Sequence, residues 1–278
     1  MGILTQLLTS GQDIRTILIT LCFYIPCILI SLVCHEYAHA FVAYCCGDDT
    51  ARRAGRLSLN PADHLTLSGT LCMLLIGFGW AKPVPVNASR MKHRRRDLIL
   101  VSLAGVAVNF VFFILSCALS VLLISRSLPP FLSSAFGTEF FACSSENGFG
   151  VLYYGDIDSL IVLIDNQLSG MLFRPDTALR IPWLQYVIRF LMVFQLMNIS
   201  LFIFNFLPVP PLDGFNFWNL TIFNGKLRIS GKAMSIILIV FYALLLFGDR
   251  LFGFDPFSRA VMGTQSFFAR LFISLFGV

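Results

Sequence analysis

Four stretches of this 278-residue chain are apolar for long enough to cross a lipid bilayer, and that decides its fold class: residues 14–46, 98–124, 183–207 and 233–253. A bilayer core takes roughly 20 residues of α-helix. In lipid, backbone amides must bond within the chain, and a helix does this inside one segment. The composition agrees: 57% of residues are hydrophobic and 13% charged, against about 45–50% and about 25% in soluble domains. So few charges cannot cover a water-facing surface, which excludes a soluble enzyme, a disordered chain and a nucleic-acid-binding domain. The expected class is an all-α polytopic membrane protein, one domain over residues 1–278, with about four to six transmembrane helices. Residues 71–80 are apolar but too short to span, and predict a re-entrant or interfacial element. Residues 257–278 read as amphipathic or as an extra span.

Charge sets the expected orientation. The loop 47–97 carries Arg52, Arg53, Arg56, Lys82, Arg90, Lys92, Arg94, Arg95 and Arg96, while 127–182 carries only Arg174 and Arg180. Positive loops stay on the cytoplasmic side. Loop 47–97 is therefore expected in the cytoplasm and 127–182 as an external insertion. The cluster Arg90–Arg96 reads as a basic collar at a helix end rather than a nucleic-acid site. The eight cysteines lie mostly in apolar runs with no CxxC pair, and read as packing residues. No cleavable signal peptide is expected, because no basic region precedes the first apolar run.

The chemistry begins at His35-Glu36-Tyr37-Ala38-His39, an H-E-x-x-H pattern inside the first span. Residues four apart share a helix face, so both imidazoles can reach one metal ion. Glu36 lies on the adjacent face, placed to act on a bound water rather than to ligate. Ionisable groups at such depth are expensive and mark function. The competing readings are polar residues packing a helix bundle, or a proton relay.

Two histidines leave a catalytic metal site one protein ligand short. Asp213 is the candidate, in Asn205-Phe206-Leu207-Pro208-Val209-Pro210-Pro211-Leu212-Asp213-Gly214. Three prolines break the helix there, and non-helical backbone at membrane depth is tolerated only where it lines a cavity. Read by itself, Pro-Pro-Leu-Asp-Gly is equally a surface turn. Zinc suits the ligand set, though iron or cobalt would fit similar groups. Asn198 and Asn205 lie seven apart on one face of the third span, either as helix–helix glue or facing a ligand.

HEYAH in an early span followed by NFLPVPPLDG in a late one resembles the site-2 protease family of intramembrane zinc metalloproteases. The segments Gly47-Asp48, Leu59-Asn60-Pro61 and Gly77-Phe78-Gly79-Trp80 through Asn87 resemble its compact bacterial branch, which lacks PDZ and CBS domains. The likeness covers about residues 13–126 and 183–250. One departure is Val106, which stands after Ala104-Gly105 where the family often has proline; Asn109 follows three residues on.

The resemblance implies that His35, His39 and Asp213 bind one zinc ion and that Glu36 is the catalytic base. It implies that Asn205, with Asn198, holds substrate backbone, and that Gly77 and Gly79 belong to a small membrane-associated β-element that pairs with substrate. Glycines there allow another backbone close approach, though a simple re-entrant turn would use them too. The implied function is hydrolysis of peptide bonds within or next to transmembrane segments. The substrate would be a membrane protein with a transmembrane helix, and the setting a lipid bilayer, the bacterial inner membrane. Two other functions compete: a divalent-metal transporter using the same ligands, and an inactive homologue that binds membrane proteins without cutting them. A transporter is expected to carry polar residues along several spans and internal repeats. Here spans two and four are nearly bare of polar residues and no repeat is evident.

Overall fold

The computed structural model describes residues 14–76, 81–127, 151–152, 160–162, 172–173, 183–227, 229–252 and 256–276. Their order is α1 (Ile14–Cys45), α2 (Thr50–Arg53), α3 (Pro61–His64), α4 (Leu67–Ile76), a 3₁₀ turn (Ala88–Arg90), α5 (Arg94–Ser127), β1 (Val151–Leu152), β2 (Leu160–Val162), β3 (Leu172–Phe173), α6 (Leu184–Phe206), α7 (Asp213–Thr221), α8 (Gly231–Phe252) and α9 (Pro256–Phe276). The protein is predominantly helical. Among the described residues, three helical stretches are long and apolar enough to cross a membrane: Ile17–Cys45, Arg94–Leu123 and Tyr186–Phe206. The segment expected as a fourth span is helix α8, apolar over Gly231–Leu244. Ile236, Ile239, Val240 and Leu244 leave large apolar side chains exposed along it. In water such a stripe would be costly, and in lipid it is the ordinary outer face of a helix.

Between α1 and α5 the chain builds short helices where a β-element is expected. Asn60 caps α3 by accepting from Ala62 N at 3.2 Å, and Pro61 fills the first helical position, where a missing N–H is harmless. The run Leu67–Ile76 is rich in leucine, a good helix former, and becomes α4. Among the described residues the expected β-element is present only as an antiparallel bridge between Leu65 and Ala81. Gly77 and Gly79 lie outside the described residues.

The chain divides into two compact units. One comprises residues 1–12, 28–111 and 200–255. Its apolar cluster is Ala43, Met91 and Val101, flanked by Val42, Cys46 and Leu98. Helix α1 ends at Gly47, whose φ of 101° only glycine adopts readily, and Asp48 N returns to Ala43 O at 3.0 Å. Asp48, fully buried, then pins the loop: it accepts from Thr50 N at 3.0 Å, Thr50 Oγ1 at 2.5 Å and Asn87 N at 2.5 Å. On the surface beside it, Asp49 pairs with Arg53 at 2.6 Å and with Arg90. Desolvation would raise the Asp49 carboxyl, but the bonds from both guanidiniums outweigh it and hold it below the usual carboxylate range.

The other unit comprises residues 13–27, 112–199 and 256–278. Aromatic rings fill it: Phe113 meets Phe268 edge-on with centroids 5.5 Å apart, and Phe112 meets Phe194 at 5.3 Å. The three short strands also belong here, antiparallel in the order β1-β2-β3, with Val151 opposite Val162 and Leu160 opposite Phe173.

Candidate metal centre

Among the described residues, the cluster that could hold an ion, His35, His39 and Asp213, sits within the first unit. His35 and His39 are one turn apart on α1, both buried, with ring centroids 4.7 Å apart and planes at 79°. Their Nε2 atoms are 3.1 Å apart. Asp213 Oδ2 lies 3.0 Å from His35 Nε2 and 3.1 Å from His39 Nε2. The three ligand atoms thus form a near-equilateral triangle. Ligands about 2.0–2.1 Å from a tetrahedral zinc stand about 3.3 Å from one another. Three atoms so close, from two imidazoles and a carboxylate, fit a small divalent cation. The set leaves one tetrahedral position open.

Local packing explains how a residue 174 positions away from His39 arrives there. Helix α6 stops at Phe206, and the proline-rich turn carries the chain to Leu212, after which Asp213 opens α7. Gly214 follows for a steric reason. A Cβ at that position would collide with the backbone of Phe206 and Leu207, so only glycine lets α7 start so close to the end of α6. Trp218 Nε1 donates to Phe206 O at 3.0 Å and fastens the same corner. At the far end of α7, Arg95 donates to the carbonyls of Leu220 at 2.9 Å and Thr221 at 3.3 Å. Those carbonyls have no partner within α7, and a cation there suits the negative end of the helix.

Helix α5 backs the histidines. Its Gly105 lies against both rings. A Cβ there would come 2.5 Å from His39 Nε2 and 2.6 Å from His35 Cε1, closer than any atoms pack. His39 Nδ1 donates to Val101 O at 2.7 Å. A carbonyl can only accept, so His39 Nδ1 carries a proton, and in the neutral ring Nε2 then keeps its lone pair for a cation.

Glu36 is half-buried, one residue past His35. Its electrostatic neighbours are His35, His39, Asp213 and His64. His64 was not singled out by the sequence reading. It is fully buried at the end of α3, with Nε2 2.6 Å from Ser58 O and Nδ1 without a partner among the described residues. The available signal was the scarcity of histidine, four in the whole chain, combined with the Asn60-Pro61 helix start just before it. Asn198 is buried in the second unit and donates to Phe194 O at 2.8 Å. Asn205 is half-buried at the end of α6, in the first unit.

The sequence profile of Peptidase family M50 matches residues 23–248, which include every residue of the cluster. The chain belongs to peptidase family M50. This bears out the resemblance to the site-2 proteases drawn from HEYAH and NFLPVPPLDG. A relative of this M50 chain in Bacillus subtilis, YwhC, is 35% identical over 188 residues, 68% of this chain and 64% of the relative, and carries the provisional name of zinc metalloprotease. Rip2 of Mycolicibacterium smegmatis, provisionally named in the same way, is 37% identical over 98 residues, 33% of this chain and 37% of the relative. Rip2 of Mycobacterium tuberculosis is 40% identical over 101 residues, 34% and 38%. The chain spans less than two thirds of the length of each of these relatives. No solved structure matches it. Zinc is the ion in the relatives' names, and the His-His-Asp cluster fits it. The apolar helices make this family member a membrane protein.

Proposed function

We propose that this M50 chain is a metalloprotease that hydrolyses peptide bonds within or next to transmembrane segments of membrane proteins. The observation that carries the reading is the triangle of His35, His39 and Asp213, with a carboxylic acid, Glu36, one residue away. His35 Nε2, His39 Nε2 and Asp213 Oδ2 would hold one zinc ion. When bound, zinc supplies an acidified water and polarises the scissile carbonyl. Glu36 takes the proton from the attacking water and passes it to the leaving amine. Val101 and Gly105 keep the imidazole pair in place while this happens.

The long apolar helix that carries the histidines supports a substrate class of membrane-spanning helices. A transmembrane helix hides its amides in its own hydrogen bonds and must unwind before it is cut. The freed backbone then needs partners. Asn205, with Asn198, and the stretch containing Gly77 and Gly79 are assigned that role. The setting is the inner membrane of a bacterial cell, crossed several times, with loop 47–97 in the cytoplasm. Its exposed arginines and the bacterial origin of the relatives support this. A single cysteine at Arg52, on a cysteine-free background, should label from the cytoplasmic side with an impermeant thiol reagent.

The deciding experiment reconstitutes wild type and Glu36→Gln with a panel of single-span peptides. Cleavage by wild type should fall at least about 100-fold in the variant, with zinc retained. Unchanged cleavage removes Glu36 from the mechanism. Metal flux without proteolysis would assign the ligands to transport, and peptide capture without cutting would make the chain an inactive homologue.

A further inference from the structure

Asn109 is fully buried on α5. Its amide nitrogen lies 3.1 Å from His35 Nδ1, and its side-chain oxygen has no partner among the described residues. In lipid such an amide is tolerated only when something needs it. What needs it is the ring beside it. His35 Nε2 points at His39 and Asp213. To bind a cation, that nitrogen must offer a lone pair, and the neutral ring then carries its proton on Nδ1. A protonated Nδ1 donates and cannot accept from an amide nitrogen. Only one of the two polar atoms of Asn109 meets a partner in this pocket, so the orientation is decided by which atom His35 requires. The nitrogen and oxygen of an amide exchange places by a half-turn about the side chain.

We propose that Asn109 is a positioning residue for His35: its side-chain oxygen accepts a hydrogen bond from His35 Nδ1–H and so keeps Nε2 free to ligate. This rests on the metal centre proposed above and adds a residue to it. It also makes sense of α5. Val101, Gly105 and Asn109 are spaced by four and share one helix face. Val101 O fixes the proton of His39 at 2.7 Å, Gly105 gives both rings room, and Asn109 fixes the proton of His35. One stripe of α5 therefore orients both imidazoles. Outer partners of this kind change metal affinity by about 10- to 100-fold when removed.

The test uses the full chain purified in detergent, as wild type, Asn109→Leu and Asn109→Asp. Zinc affinity is read by competition with a chelating indicator, and cobalt(II) absorption reports ligand geometry. Leucine has a similar volume and no polar atom, while aspartate keeps an accepting oxygen. Asn109→Leu should bind zinc about 10- to 100-fold more weakly and shift the cobalt bands, and Asn109→Asp should stay within about threefold of wild type with its bands unchanged. Equal affinity in Asn109→Leu, or a loss in Asn109→Asp as large as in Asn109→Leu, overturns the proposal. A wild type that binds no zinc removes the metal centre itself, and this inference with it. Independently of any variant, ¹⁵N-histidine NMR of the zinc-loaded protein should show His35 protonated at Nδ1. An unprotonated Nδ1 overturns the proposal.

Discussion

The carboxylate of Asp213 lies 3.0 Å from His35 Nε2, although 178 positions separate them in the chain. The contact needs two helices to end in the right places. Gly214 lets α7 begin against the end of α6, and α1 carries His35 and His39 on the face that meets it. The geometry of the His-His-Asp cluster is therefore a property of helix junctions as much as of the three side chains.

Gly105→Ala should damage the metal site more than its size suggests. The added methyl would stand 2.5 Å from His39 Nε2, so one of the rings must move. Zinc affinity should fall at least about 10-fold, in the range seen when ligand orientation is lost. Gly263→Ala on α9 is the matched control. Nothing lies within 4 Å of its Cβ position, and stability should rise by about 0.5–1 kcal/mol. Chelator competition and thermal unfolding on both variants check the pair, and unchanged zinc affinity in Gly105→Ala would contradict the packing described.

Asp48→Ala should loosen loop 47–97 rather than the metal centre. The carboxylate is fully buried and accepts three hydrogen bonds. Removing it leaves donors unmet, a loss of about 3 kcal/mol. Limited proteolysis at the exposed Arg52 and Arg53 should become markedly faster. A digestion rate equal to wild type would mean that other contacts hold the loop.

Arg95→Met should act at a distance. The guanidinium holds the last carbonyls of α7, whose first residue is Asp213. The side chain is exposed, so the expected loss is about 1 kcal/mol. It should show as a several-fold weaker zinc affinity, with the wild-type cobalt spectrum once the site is saturated. A changed spectrum at saturation would mean that Arg95 shapes the site directly.

The parts of this site legible in the sequence are those with local spacing. His35 and His39 announce themselves because a helix repeats every 3.6 residues, and three prolines before Asp213 announce a break in a span. The apolar runs likewise predict helices α1, α5, α6 and α8, with ends within about four residues of those expected. What stayed hidden acts between elements. Asn109 is 74 positions from His35, and Val101 is 62 from His39. No periodicity links such pairs, and a backbone carbonyl has no sequence signature at all. In the loop between α1 and α5 the small β-element implied by the resemblance is met, among the described residues, by the Leu65–Ala81 bridge alone, whereas Asn60-Pro61 and the leucines of α4 favour short helices. His64 escaped notice because a lone histidine belongs to no pattern.

One divalent ion would be held jointly by α1 and the start of α7. Zinc content of purified wild type, His39→Ala and Asp213→Ala, each folded by circular dichroism, tests it most directly. Wild type should carry about one zinc per chain, and each variant close to none under the same dialysis. Full zinc occupancy in Asp213→Ala would contradict the account, because the ion would then have to be bound without the residue that closes the site.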